Sequence, residues 1–253
     1  MLPAINPNIV LCKMELSVVI PVFNEGRKID TDLGMAIQFF EKHHIAGEII
    51  ISDDGSTDDT LMIPENISVP EKFPIRIIKN KVHNGKGYAV KEGILSARGE
   101  MVLFIDSGGC VPYDNILAGI ELVRSGSCEI AHGSRFLPGS IIRRKKQWYR
   151  RFLSFLFRKF IHIWMNIPRD LTDTQCGLKI YKKDVAYEIF KPVITHGFMF
   201  DIEVILRAKE AGYRIREFPV TWTSDPDSRM RIANTFFSIF PELRRIRRMQ
   251  LDL

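Results

Sequence analysis

The sequence predicts an α/β fold with a mostly parallel central sheet flanked by helices. Three observations predict it. First, Leu16–Val22 (LSVVIPV) and Met101–Ile105 (MVLFI) are short, nearly unbroken apolar runs, as expected of strands buried on both faces. Second, residues 27–44 carry helical spacing, with Ile29, Leu33, Ala36, Ile37 and Phe40 on one face, and lead into a second strand, Glu48–Ser52. Strand, helix, strand is a βαβ unit with a right-handed crossover. Third, two of these strands run into acids, Asp53-Asp54 and Asp106. Open α/β sheets bind ligands beyond the carboxyl ends of their strands.

At 253 residues, 45% hydrophobic and 26% charged, the chain suits one large domain or a domain with a small appendage. Its net charge of +6 is unevenly spread. No acid lies between Glu129 and Asp170, a span holding Arg135, Arg143, Arg144, Lys145, Lys146, Arg150, Arg151, Arg158, Lys159 and Arg169. A second cluster, Arg244, Arg245, Arg247 and Arg248, lies near the carboxyl end. Such blocks point to an anionic partner. Cys12, Cys110, Cys128 and Cys176 form no CxxC pair, which argues against zinc and fits a reducing compartment. No stretch approaches the roughly 18 apolar residues of a membrane span, and no signal-peptide pattern opens the chain.

Taken in order, residues 1–14 read as a leader. The first strand ends in Phe23-Asn24-Glu25-Gly26, and the second runs into Asp53-Asp54-Gly55-Ser56-Thr57-Asp58-Asp59. A polar loop, Pro64 to Pro74, precedes a third strand at Ile75–Lys79. Asn84-Gly85-Lys86-Gly87 then opens a helix over 88–97, where backbone amides can cradle phosphate. Neither GxxxxGK[ST] nor GxGxxG occurs, which excludes a P-loop and argues against a dinucleotide site. The strand at 101–105 stops at Asp106, followed by Ser107-Gly108-Gly109, a turn with no bulky side chain near the acid. A helix over 113–125, a strand at Cys128–His132 and the turn Gly133-Ser134-Arg135-Phe136 follow.

Residues 147–165 (QWYRRFLSFLFRKFIHIWM) interleave a broad apolar face with Arg150, Arg151, Arg158 and Lys159. A core helix would carry fewer cations, so an interfacial amphipathic helix is favoured. No nucleic-acid-binding motif accompanies it, and no nucleic-acid partner is expected. A strand at LKIY, a helix over 184–190, a helix opening at His196–Glu203 and reaching Ala211, and a last strand at Ile215–Trp222 complete the alternation. Residues 232–250 form a second Arg-rich amphipathic helix. The expected organisation is a leader at 1–14, a catalytic domain over 15–231 with an amphipathic insertion at about 141–167, and a basic helix over 232–253.

Six stretches in this order, SVVIPVFNE (Ser17–Glu25), DDGSTD (Asp53–Asp58), NGKGY (Asn84–Tyr88), GSRF (Gly133–Phe136), DTQCGLK (Asp173–Lys179) and FDIE (Phe200–Glu203), resemble the family 2 inverting glycosyltransferases of GT-A fold. In particular the chain is similar to the polyprenyl-phosphate group, the dolichyl-phosphate glucose and mannose synthases. DTQCG and the TW…SRM segment lean toward the glucose branch. The resemblance implies a Rossmann-like GT-A core. It also implies donor-binding roles for Pro21, Phe23, Glu25, Asp53 or Asp54, Lys86, Asp106 and Ser107. A carboxylate suits ribose hydroxyls or a base N–H, although Asp54-Gly55-Ser56 also reads as an Asx turn.

Asp106 matches the first acid of the family's D-x-D motif, which holds Mg²⁺ or Mn²⁺ against the donor diphosphate. The sequence departs at the second position, Gly108, and has Cys110 where mannose synthases carry Gln, so a lone carboxylate would hold the metal more weakly. Arg135, Arg150 with Ser154, and Arg229 are implied near the acceptor phosphate. Arginine's fork suits phosphate. Asp173 and Arg135 are the implied catalytic pair: Asp173 orients sugar hydroxyls or, for a neutral hydroxyl acceptor, serves as base. Asp201 in FDIE reads equally as a sugar contact and as a helix cap.

The expected activity moves a hexose from a nucleotide-diphosphate sugar, UDP-glucose favoured, to a polyprenyl or dolichyl phosphate. The expected location is peripheral, on the cytoplasmic face of a membrane, held by the two amphipathic helices or through a membrane-protein partner. Two alternatives remain at this point: a family 2 enzyme with a soluble or polysaccharide acceptor, and a non-catalytic nucleotide-sugar-binding homologue.

Overall fold

The structure, a computed structural model, describes residues 14–66, 73–143, 148–223 and 232–251. Seven strands form the main sheet: β1 (Leu16–Val22), β2 (Gly47–Asp53), β3 (Ile75–Lys79), β4 (Met101–Ile105), β5 (Ile130–Ser134), β7 (Leu178–Lys182) and β8 (Ile215–Pro219). Their spatial order is β3-β2-β1-β4-β7-β5-β8. The pairs β1–β2, β2–β3, β1–β4 and β5–β8 are parallel. β7 runs antiparallel to both its neighbours, β4 and β5.

The orientation of β7 is the feature that the strand–helix alternation alone does not announce. Ile105 pairs with Leu178, so the end of β4 meets the start of β7. The Asp106 amide continues the pairing, donating to Gly177 O at 2.9 Å. A parallel β7 would carry the DTQCG stretch to the opposite rim of the sheet. The antiparallel one sets it beside Asp106.

Strand limits follow the apolar runs, with two informative differences. The strand expected at Cys128–His132 lies at Ile130–Ser134, because it pairs residue for residue with Ile215–Pro219. The single strand expected over Ile215–Trp222 divides at Val220. Its second part, β9 (Thr221–Trp222), pairs with β6 (Ile141–Ile142) in a separate two-stranded sheet. The 64–74 segment opens as a short helix, α2 (Met62–Asn66), after a 3₁₀ turn at Asp59–Leu61.

Helices cover both faces. On one, Val18, Ile20 and Ile49 pack with Ile29, Leu33 and Phe40 of α1 (Ile29–His43) and Ile116 and Ile120 of α4 (Ile116–Arg124). On the other, Val19, Val102 and Phe104 pack with α3 (Lys86–Leu95), α6 (Lys183–Phe190) and α7 (Phe200–Glu210). The buried acid Glu48 is fully satisfied, accepting from Ser17 Oγ (2.7 Å), the Arg98 amide (2.8 Å) and Arg76 Nη1 (2.9 Å). Buried carboxylates persist where bonded this way.

A third apolar cluster joins α5 (Trp148–Trp164), α7 and α8 (Ile232–Leu251). Ile161 and Met165 pack with Ile202 and Ile205, and with Leu243 and Ile246. The carboxyl half of α5 is therefore anchored in the protein, while Phe155, Leu156, Phe160 and Ile163 stay exposed. No helix among the described residues is long and apolar enough to cross a membrane. The expected leader falls outside the described residues up to position 13.

The start of α3 is packed against the 195–197 loop before α7. Tyr88 N donates to His196 O at 3.1 Å. A Cβ on buried Gly87 would lie 2.6 Å from Thr195 O and 2.7 Å from Phe200 Cβ. Gly87→Ala is therefore expected to destabilise the fold by about 1–3 kcal/mol through overpacking, read as a lower urea midpoint with an unchanged slope.

Candidate active site

The site lies at the carboxyl ends of β1, β2 and β4 and the amino end of β7. Asp106 leaves β4 and meets Lys86, the first residue of α3, with Nζ 2.6 Å from Oδ1. That oxygen accepts no hydrogen bond beyond the ion pair. Burial alone would lower the Lys86 pKa, but the Asp106 and Asp201 carboxylates outweigh it and hold the ammonium above its ordinary value. Lys179 stands opposite Phe104 in the β4–β7 register, fully buried. It donates to Asp201 Oδ1 at 2.5 Å and to Cys176 O at 2.9 Å. Both ammonium groups lie over the Phe104 ring, 5.5 and 5.8 Å from its centroid. Asp106, Lys86, Asp201 and Lys179 thus form a set of alternating charges, and Asp201 is engaged by Lys179.

The Ser107-Gly108-Gly109 turn is held from α1. Asp32 accepts from the Gly108 amide at 3.0 and 2.9 Å and from the Gly109 amide at 3.1 Å. Gly108 has φ +90° and Gly109 φ +60°, in a region non-glycine residues seldom occupy. The missing second acid of the D-x-D pattern thus coincides with a turn whose backbone favours glycine. Burial pushes the Asp32 carboxyl up to about 6, against the pull of its two amide bonds, with Glu25 adding to the rise and Lys28 opposing it.

At the ends of β1 and β2, Pro21 is buried in β1. The Phe23 ring stacks on His83, with centroids 4.0 Å apart. Glu25 pairs with Lys28 at 3.0 Å. Both acids after β2 bond backbone amides. Asp53 accepts from Ser56 N at 3.2 Å. Asp54 accepts from Asn84 N (2.9 Å) and Gly85 N (2.8 Å), with His83 Nδ1 2.7 Å away. Asp54 therefore ties the end of β2 to the loop that presents Lys86.

On the other side, Arg135 leaves β5 and closes on Asp173. Asp173 Oδ2 accepts from the Arg135 amide (3.0 Å) and Nε (2.7 Å), and Oδ1 from Nη2 (2.8 Å) and the Gln175 amide (3.3 Å). Burial would raise the Asp173 pKa, but the guanidinium holds it below the ordinary carboxylate value. Glu217 of β8 fixes the loop, accepting from Thr172 N (2.8 Å), Thr172 Oγ1 (2.7 Å) and Asp173 N (2.7 Å). The Asp106 charge contributes to the raised pKa of Arg135, so the two clusters share one field.

The structure thus brings together Asp106, Ser107, Lys86, Arg135 and Asp173 around one rim. Ser154 is exposed on α5. The Arg150 side chain and the whole of Arg229 lie outside the described residues. Among the described residues, no group of three or more His, Cys, Asp or Glu side chains converges as a metal site. Lys179 belongs to a motif picked out in the sequence, yet its ion-pairing role is visible only in three dimensions. Asp32, Glu217, His83 and Arg158 carried no local signal, because the contacts that set them apart reach across 22 or more residues.

Strand order and rim describe an α/β fold with a candidate site beyond the strand ends, and the comparisons with known proteins give its family. Residues 17–190 match the model of glycosyl transferase family 2. The chain belongs to that family and is a glycosyltransferase of GT-A fold. It is 33% identical over 235 residues to the dolichyl-phosphate beta-glucosyltransferase of Saccharomyces cerevisiae, covering 86% of this chain and 70% of that protein. Mannosyl-3-phosphoglycerate synthase from Rubrobacter xylanophilus superposes with a TM-score of 0.70 at 14% identity, over 95% of this chain and 76% of the other. Glucosyl-3-phosphoglycerate synthase from Mycobacterium tuberculosis, solved with Mn²⁺, UDP-glucose and glycerol 3-phosphate, gives 0.64 at 16% identity, over 92% and 78%.

Two outcomes are expected. A folded-state value of about 6 for Asp32, above the free value of 3.8, means its ionisation opposes folding. Its contribution is fully present below about pH 4 and lost as pH rises through about 6. Between about pH 4.5 and about pH 7 the wild type should lose roughly 2 kcal/mol relative to Asp32→Asn, measured by urea denaturation at each pH. Lys179→Met should cost about 3–5 kcal/mol by stranding Asp201, and the double variant with Asp201→Leu should recover most of it.

Proposed function

We propose that the chain transfers glucose from UDP-glucose to a polyprenyl phosphate of the dolichyl class, with inversion, at a membrane surface. The observation that carries this reading is the pairing of the acids around the rim. Asp173 has both oxygens taken by Arg135 and Gln175, Asp106 pairs with Lys86, and Asp201 with Lys179. A hydroxyl acceptor needs a free base to take its proton. A phosphate acceptor arrives ionised and needs positioning and charge compensation instead. The yeast relative's name supports the same acceptor and sugar.

In this reading Asp173 positions Arg135, and Arg135 faces the reacting phosphates. Pro21, Phe23, Glu25, Asp53 and Asp54 shape the base and ribose end of the donor site, the two aspartates through the loops they hold. Lys86, Asp106 and Ser107 meet the diphosphate. Asp106 suits Mg²⁺ or Mn²⁺: it is a hard oxygen ligand, partly exposed, and such ions commonly take one carboxylate together with substrate phosphates and water. When bound, the cation neutralises charge on the leaving diphosphate. Arg150, Ser154 and Arg229 are assigned to the acceptor phosphate.

The exposed Phe155, Leu156, Phe160 and Ile163 of α5, with Lys159, and Phe240, Arg244, Arg245 and Arg248 of α8 suit an anionic leaflet. A cytoplasmic face, a membrane-protein partner, and the division into residues 15–231 and a membrane-seated helix over 232–253 belong to the same reading.

Incubation with UDP-glucose, Mn²⁺ or Mg²⁺ and vesicles containing polyprenyl phosphate is expected to yield a lipid-linked glucose. Arg135→Met should lower kcat/KM by roughly a hundredfold or more, with poor rescue by Lys because the fork is lost. Failure of the wild type to transfer sugar from UDP-glucose, whichever metal is present, would reject the reading.

A further inference from the structure

α5 brings one more guanidinium to the acceptor side of the rim. Arg158 Cζ lies 3.7 Å from the centroid of the Phe136 ring, a close stacking contact. Arg135 Cζ lies 5.8 Å from the same centroid. One aromatic side chain thus lies beside two cations, and their circumstances differ. Arg135 is neutralised by Asp173. Arg158 has no ion pair among the described residues, and its Nη1 is buried without a hydrogen-bond partner. Buried polar atoms in folded proteins are almost always bonded, and this one belongs to a half-buried side chain. Its neighbour Lys159 is exposed, as befits a cation on a membrane-facing helix; Arg158 turns inward over Phe136 instead.

Burial and the nearby charge of Arg135 both press on the Arg158 guanidinium, while Asp173 and Glu217, already bonded elsewhere, relieve it only through space. An arrangement that the protein leaves uncompensated becomes favourable once an anion enters. The contact with the Phe136 ring holds the guanidinium in place before an anion arrives.

We propose that Arg158 forms, with Arg135, a two-guanidinium cradle within the binding site for the phosphate monoester of the acceptor. This rests on the phosphate-acceptor reading above. Arg135 is oriented by Asp173 and Arg158 by Phe136, so neither must be ordered by the substrate. The same chemistry would also suit the donor's diphosphate, and the kinetics separate the two sources.

The test measures initial rates for wild type, Arg158→Met and Arg158→Lys, using a short-chain isoprenyl phosphate in detergent, with acceptor and UDP-glucose varied in turn. Arg158→Met is expected to raise the acceptor KM by roughly tenfold to a hundredfold, as for loss of a charge-assisted hydrogen bond. The donor KM should stay within about twofold, and Arg158→Lys should recover part of the loss. Thermal unfolding separates a folding defect from a binding one, and Arg158→Lys carries the test if the Met variant does not fold. A rise confined to the donor KM would overturn the assignment to the acceptor. So would an acceptor KM unchanged in both variants while the wild type transfers sugar normally. No transfer by the wild type would instead overturn the underlying reading. Lys159→Met is the control on the same helix, and an equal effect on the acceptor KM there would reduce Arg158 to one surface charge among several.

Discussion

The candidate-site rim depends on the antiparallel entry of β7 between β4 and β5. Pairing Ile105 with Leu178 and closing the next step with the Asp106 N–Gly177 O bond sets two distant stretches of chain side by side. A Cβ on Gly177 would displace the Asp106 carboxylate. The same register places Lys179 opposite Phe104 and commits a buried ammonium to the sheet interior, where Asp201 answers it. One backbone pairing thus arranges the acid at the end of β4, the loop bearing Asp173 and the start of α7.

The charges then limit the chemistry. Lys86 shares the field of Asp106 and Asp201, while Arg135 is bound through three of its N–H groups to a single buried carboxylate. Such pairs hold cations in fixed positions at a rim partly shielded from water, where preorganised charge acts most strongly on a developing anion. What they do not leave is an idle carboxylate beside Arg135. The arrangement suits transfer between two phosphorylated partners better than activation of an alcohol. The backbone bonds of Asp54 and Asp32 serve the same end at one remove, each fixing a loop that carries a rim residue.

The strands were legible because each one buried on both faces declares itself as an apolar run. β1 and β4 lie where LSVVIPV and MVLFI place them. Asp106, Lys86, Arg135 and Asp173 were legible as motif residues, and all four meet at the rim. The direction of β7 was not, because a five-residue run reads the same in either orientation. Asp32 was hidden for a different reason: it sits in an unremarkable helix, and its partners, Gly108 and Gly109, lie 76 and 77 residues further on. Arg158 looked like one cation among many in a basic amphipathic helix. Only its stacking on Phe136 and its unpartnered Nη1 set it apart. That both Asp173 oxygens already accept hydrogen bonds was likewise hidden, since periodicity and spacing do not reveal it.

On the phosphate-acceptor reading, the acceptor brings its own negative charge to a rim that offers cations and no free base. The most direct measurement compares polyprenyl phosphate with the polyprenol of the same chain length, both in vesicles, at saturating UDP-glucose. The account predicts transfer to the phosphate, and no transfer to the alcohol above the enzyme-free background. Comparable rates on the two acceptors would contradict it.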